Sequence, residues 1–193
     1  MYKIELVIAI IIHLILHTEY NVNYFVSTTI SETKASLYVC THSYEHKDIF
    51  VMLHELNKSS KKFIMLFADK VWNRILEPLK GKNITFVYTT PNSNTVERLC
   101  TYLKQNINVV LFLYEQNPSK GVYHILNKTK VPLVLVNIRG DLSGTDHYNA
   151  NFAKILLYNT SINFIVNYIP IDYTILLEPN YFMSTLKKIM YIT

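Results

Sequence analysis

Short apolar runs rich in Val, Ile, Leu, Phe and Tyr recur along the chain at intervals of roughly two dozen residues, and segments of helical periodicity separate them. The runs are 36–41 (SLYVCT), 62–67 (KFIMLF), 84–89 (ITFVYT), 108–113 (NVVLFL), 132–137 (PLVLVN) and 162–168 (INFIVNY). Each is continuously hydrophobic rather than alternating, as strands covered on both faces are. They predict six strands of a buried sheet, with Val110, Leu111 and Phe112 in the middle of a central one.

The spacers read as helices. Ile49, Leu53 and Leu56 share one face, and Val71, Ile75 and Leu79 share another that closes at Gly81. Asn94 and Glu97 stand at capping-box spacing before Val96, Leu99, Cys100 and Leu103. Asn117 and Pro118 open a fourth helix with Val122, Ile125 and Leu126 inward, and 147–158 supplies a fifth with Phe152, Ile155 and Leu156. In the tail, 171–177 reads as an edge strand and 181–191 as a last helix. Crossovers this short require right-handed βαβ units, so the expected fold is α/β, a doubly wound, mostly parallel sheet of about six strands with helices on both faces.

The first 20 residues differ from this pattern. Lys3 precedes an apolar run from Leu6 to Leu16 that only His13 interrupts, and polar His17, Thr18 and Glu19 follow. An apolar core this short suits a secretory signal peptide better than a membrane span, which needs about 20 apolar residues. Glu5 and the lack of a small-x-small cleavage pair count against it, and an uncleaved anchor or a buried first element are the rival readings. The expected organisation is a signal peptide over 1–20 and a single α/β domain over 21–193. Membrane attachment is expected only through an uncleaved N-terminal segment.

Composition narrows the classes. Half the 193 residues are hydrophobic and 17% are charged, which excludes a disordered chain. The net charge of +5 is scattered, and no recognised module appears, so nucleic acid is not an expected partner. Only four glycines occur, and none stands in a GxGxxG, GxxxxGK[ST] or GxSxG pattern, so no dinucleotide or phosphate-binding cofactor is expected. The N-x-S/T sequons at Asn57, Asn83, Asn127 and Asn159 each fall just before a predicted strand or at the end of the helix preceding it. All four are therefore expected on one pole of the sheet as glycosylation sites. Polar, Asn-rich turns are ordinary at such places, so the placement supports modification without requiring it. Cys40 and Cys100 suit either one disulfide or two buried thiols, and spacing does not decide between them.

Parallel sheets bind ligands outside the carboxyl ends of their strands, near the point where strand order reverses. The residues expected there are Thr41, His42, Asp69, Asn92, Glu115, Arg139 and Asp141, with hydroxyls and amides around them that suit a small polar ligand. Two short motifs lie on this edge. His42, Glu45 and His46 spell H-x-x-E-H, a zinc pattern that needs a helix, but these residues leave a strand, so no metal is expected. Arg139-Gly140-Asp141 spells RGD, a tripeptide too short to carry an adhesion role alone.

The leader, a first strand ending in Cys40 (SLYVC), the sequons and the strand–helix alternation together resemble the amino-terminal, periplasmic-binding-protein-like region of insect chemosensory ionotropic receptors, over about 24–177. The resemblance is architectural and rests on no diagnostic motif. It implies a secreted or extracellular domain that binds a small ligand or a receptor subunit rather than catalysing. Two alternatives stand beside it: a secreted α/β enzyme, with Asp69 and Asp141 as the available acid–base pair, and a cytosolic flavodoxin-like protein.

Overall fold

The computed structural model of the chain describes residues 22–26, 34–42, 47–67, 76–77, 80–89, 94–114, 120–140, 162–169 and 178–191. Seven strands form one sheet: β1 (Val22–Val26), β2 (Leu37–His42), β3 (Phe63–Phe67), β4 (Ile84–Tyr88), β5 (Asn108–Tyr114), β6 (Leu133–Gly140) and β7 (Ile162–Ile169). Among the described residues four long helices accompany them: α1 (Lys47–Asn57), α2 (Thr95–Lys104), α3 (Lys120–Thr129) and α4 (Pro179–Tyr191). The lateral order is β1-β7-β6-β2-β5-β3-β4. Its five central and right-hand strands, β6-β2-β5-β3-β4, pair in parallel, which makes the fold α/β with a doubly wound sheet.

Strand pleating sends alternate residues to opposite faces, and two buried clusters result. On one face Cys40, Met65, Phe67, Phe86, Val110 and Val134 pack under Ile49, Met52, Leu53 and Leu56 of α1 and under Leu76. On the other, Val39, Ile64, Val109, Leu111 and Leu135 pack under α2, α3 and α4 through Leu99, Leu103, Val122, Leu126, Phe182 and Leu186. Burial on both faces is why the strands read as unbroken apolar runs. Cys40 and Cys100 belong to opposite clusters, so the sheet separates them and no disulfide joins the two.

Several expectations change. The run at 162–168 is a strand, but it pairs antiparallel to β6, with Gly140 opposite Ile162 and Leu133 opposite Ile169. The link from β6 to β7 therefore starts and ends at the same pole, and no crossover joins this pair. The described sequons Asn57, Asn83 and Asn127 fall at the ends of helices or before strands of the parallel block, while Asn159 lies outside the described residues. A further strand, β1, pairs in parallel with β7 and raises the count from six to seven. Asn94 does stand at the N-cap of α2, yet it makes no side-chain capping bond. Glu97 pairs instead with Lys128 of α3 at 2.6 Å, so the capping box does not form. The expected leader over 1–20, the Asn117–Pro118 helix start, the helix over 147–158 and the edge strand over 171–177 lie outside the described residues.

Candidate functional site at the carboxyl edge

The two poles of the parallel block are built differently. At the amino pole, asparagine side chains close the turns between helices and strands. Asn108, which begins the central strand β5 and is buried, accepts from Ser36 N at 2.9 Å and donates to Lys62 O at 3.2 Å, so one amide brackets β5 against the strands on either side. Asn106 accepts from Ala35 N at 2.7 Å. Its φ of 60° is the left-handed conformation that Asn tolerates better than most residues. Asn57 accepts from Gly81 N at 2.6 Å, and Asn83 donates to the carbonyls of Ser59, Lys61 and Leu56 at 2.6, 2.9 and 3.3 Å. Gly81 sits between these two amides, where an added Cβ would come within 2.7 Å of both side-chain oxygens.

The carboxyl pole is where neighbouring strands send the chain to opposite faces. After β2 it passes into α1 on one face, and β5 leads to α3 on the other. Adjacent strands with divergent connections open the crevice in which doubly wound sheets receive ligands. Thr41 and His42 end β2 at the carboxyl pole, in register with Leu113 and Tyr114 of β5. Arg139 does not lie in a loop: β6 runs on to Gly140, and Arg139 pairs with Asn163 of β7. Two residues of the RGD are thus ladder residues rather than the tip of a turn. Asp69, Asn92, Glu115, Asp141 and Asn159 lie outside the described residues.

The sequence reading missed an aromatic row just inside this edge. Phe112 of β5, Phe67 of β3 and Tyr88 of β4 lie side by side on the α1 face. Phe67 stacks on Phe112 at 6.2 Å and on Tyr88 at 6.1 Å, while Phe86 meets it edge-on at 5.3 Å. The Tyr88 hydroxyl is buried and has no hydrogen-bond partner among the described residues. Burial, followed by the negative charge of Glu77, pushes its phenol up to about 12. The hydroxyl is therefore a neutral donor at physiological pH, held at the carboxyl end of an edge strand. Aromatic residues near the ends of three predicted strands were the available signal, but only the strand order makes them neighbours.

The site offers no activated nucleophile among the described side chains. Cys40 is fully buried, and burial raises the Cys100 thiol, which disfavours the thiolate. Among the described residues no group of three His, Cys, Asp or Glu side chains gathers as metal ligands, and no helix is long and apolar enough to cross a membrane. Compared with known proteins, the chain matches no family model and no curated sequence.

Proposed function

We propose that this chain is a ligand-binding or assembly domain of the secretory pathway, secreted or held on the extracellular side of the plasma membrane. It takes a small polar ligand or a receptor subunit at the carboxyl edge of its sheet, as its likeness to the amino-terminal region of ionotropic receptors implies. The observation that carries the reading is the unpartnered Tyr88 hydroxyl at that edge. Buried polar groups without partners are rare in folded proteins, and a donor kept in reserve beside an aromatic row suits a ligand that brings its own acceptor. Thr41 and His42 border the same pole at the neighbouring switch point.

The test is a thermal-shift and calorimetric screen of the full chain against small molecules bearing hydrogen-bond acceptors. A ligand of this site loses affinity by about 3- to 10-fold in Tyr88→Phe, the worth of one hydrogen bond, and binds Asn127→Ala normally. A ligand indifferent to Tyr88 and Thr41 but sensitive to changes around Asn57 or Asn127 would move the site to the other pole. N-terminal sequencing of protein made in a eukaryotic secretory host checks the compartment.

A further inference from the structure

The sequons at Asn83 and Asn127 are equivalent in sequence and opposite in surroundings. The Asn83 Nδ2 donates to three backbone carbonyls, those of Ser59, Lys61 and Leu56, which lie 24, 22 and 27 residues away along the chain. These bonds tie the end of α1 and the turn into β3 to the turn into β4. Asn127 is exposed on the last turn of α3, and its side-chain oxygen, not its nitrogen, accepts from Lys130 Nζ at 2.8 Å.

N-linked glycosylation acts on Nδ2. That nitrogen gives up one proton and bonds to the anomeric carbon of an oligosaccharide carried on a lipid pyrophosphate. The sugar–oxygen bond breaks, and the lipid pyrophosphate leaves with the electron pair. The product keeps its carbonyl oxygen but has one N–H instead of two, with a bulky sugar on the nitrogen. At Asn127 this preserves the Lys130 contact and directs the glycan into solvent. At Asn83 it places the sugar among carbonyls 2.6 to 3.3 Å away and removes half the donor capacity that closes the turn.

We infer that in the folded protein Asn127 carries an N-linked oligosaccharide and Asn83 does not, an assignment that rests on the secretory reading above. A chain modified at Asn83 during synthesis cannot close this turn, so the folded, secreted fraction is the fraction bare at that position.

The experiment expresses the full chain behind a cleavable secretion signal of the host, so that the glycosylating machinery is met whatever the chain's own N-terminus does. Glycopeptide mass spectrometry of the soluble secreted protein is expected to find sugar on Asn127 and none on Asn83. Thr129→Ala, which destroys that sequon but keeps Asn127, removes one glycosidase-sensitive step in gel mobility. Thr85→Ala, a change at an exposed residue that destroys the other sequon but keeps the Asn83 amide, leaves mobility and folding unchanged. Sugar on Asn83 of the folded protein, or a bare Asn127, overturns the assignment. Expressing the chain from its own N-terminus in parallel separates the two ideas: retention there in the cytosol defeats the compartment reading, while the leader-driven form still decides between the two asparagines.

Discussion

Among the described residues, the two poles of the sheet differ in how their polar groups are met. Wherever strands end, backbone and side-chain polar groups must find partners away from the ladder. At the amino pole they find them within the chain: Asn57, Asn83, Asn106 and Asn108 each bond backbone groups of another segment, and Gly81 leaves no room for a methyl group between two of them. At the carboxyl pole the Tyr88 hydroxyl is buried and unmatched. Among the described residues the amino pole closes through side-chain amides, whereas the carboxyl pole, where Thr89 N donates to Phe67 O at 2.9 Å, also holds the Tyr88 donor without a partner. The lesson is that an asparagine-rich composition need not be a mere bias or a set of glycan acceptors, since here it supplies the clasps of the fold.

The comparison can be broken in order of expected effect. Leu111 lies mid-strand in β5, between the poles, and is 6% exposed. Leu111→Ala is expected to cost about 2–5 kcal/mol in chemical denaturation, the usual range for a buried leucine. A loss under about 1 kcal/mol would mean that the poles, not the core, hold the sheet.

Next is the amino pole itself. Asn108→Ala leaves the buried Ser36 N without its acceptor and Lys62 O without a side-chain donor, and is expected to cost about 2–3 kcal/mol, since each buried group stranded costs about 1–3 kcal/mol. If denaturation shows the variant as stable as the wild type, the asparagine clasps are incidental.

At the carboxyl pole the sign reverses. Tyr88→Phe removes a hydroxyl without a hydrogen-bond partner among the described residues, so stability is expected to hold or rise by up to about 1 kcal/mol while ligand affinity falls. A clear loss of stability in the free protein would show that the hydroxyl has a structural task and that the poles are alike.

The smallest effect is alkaline. The phenol of Tyr88 sits near 12 in the folded protein against an ordinary 10.0, so folding favours its neutral form. That contribution is fully present below pH 10 and is lost as pH rises from 10 toward 12. Ultraviolet titration should show one tyrosine ionising late, and Tyr88→Phe should delete that late step alone.

Much of the fold was legible because burial on both faces writes itself into the sequence as uninterrupted apolar runs. The six predicted strands all form, within a residue or two except where β6 runs on to Gly140, and the faces of α1, α2 and α4 follow their periodicity. Pairing direction was not legible at β7. An apolar run looks the same in either orientation, and only the meeting of Gly140 with Ile162 decides it. The capping box failed for a related reason, because Glu97 could bond its own helix end or Lys128, which is 31 residues away, and the packing of α2 on α3 chose the second.

The candidate site was legible as an edge and not as a set of contacts. Sequence alone determined strand direction in the parallel block, because it follows from short crossovers, and so put Thr41 and His42 at the carboxyl end of β2. It determined nothing about which strands are neighbours. Phe112, Phe67 and Tyr88 are separated by 45 and 21 positions in sequence, and become one row only because β5 inserts between β2 and β3 while β4 takes the edge. The division of labour among asparagines is likewise tertiary. A sequon names a nitrogen, but whether its residue stands exposed, as on α3, or its nitrogen meets three carbonyls, as at Asn83, depends on residues more than 20 positions away.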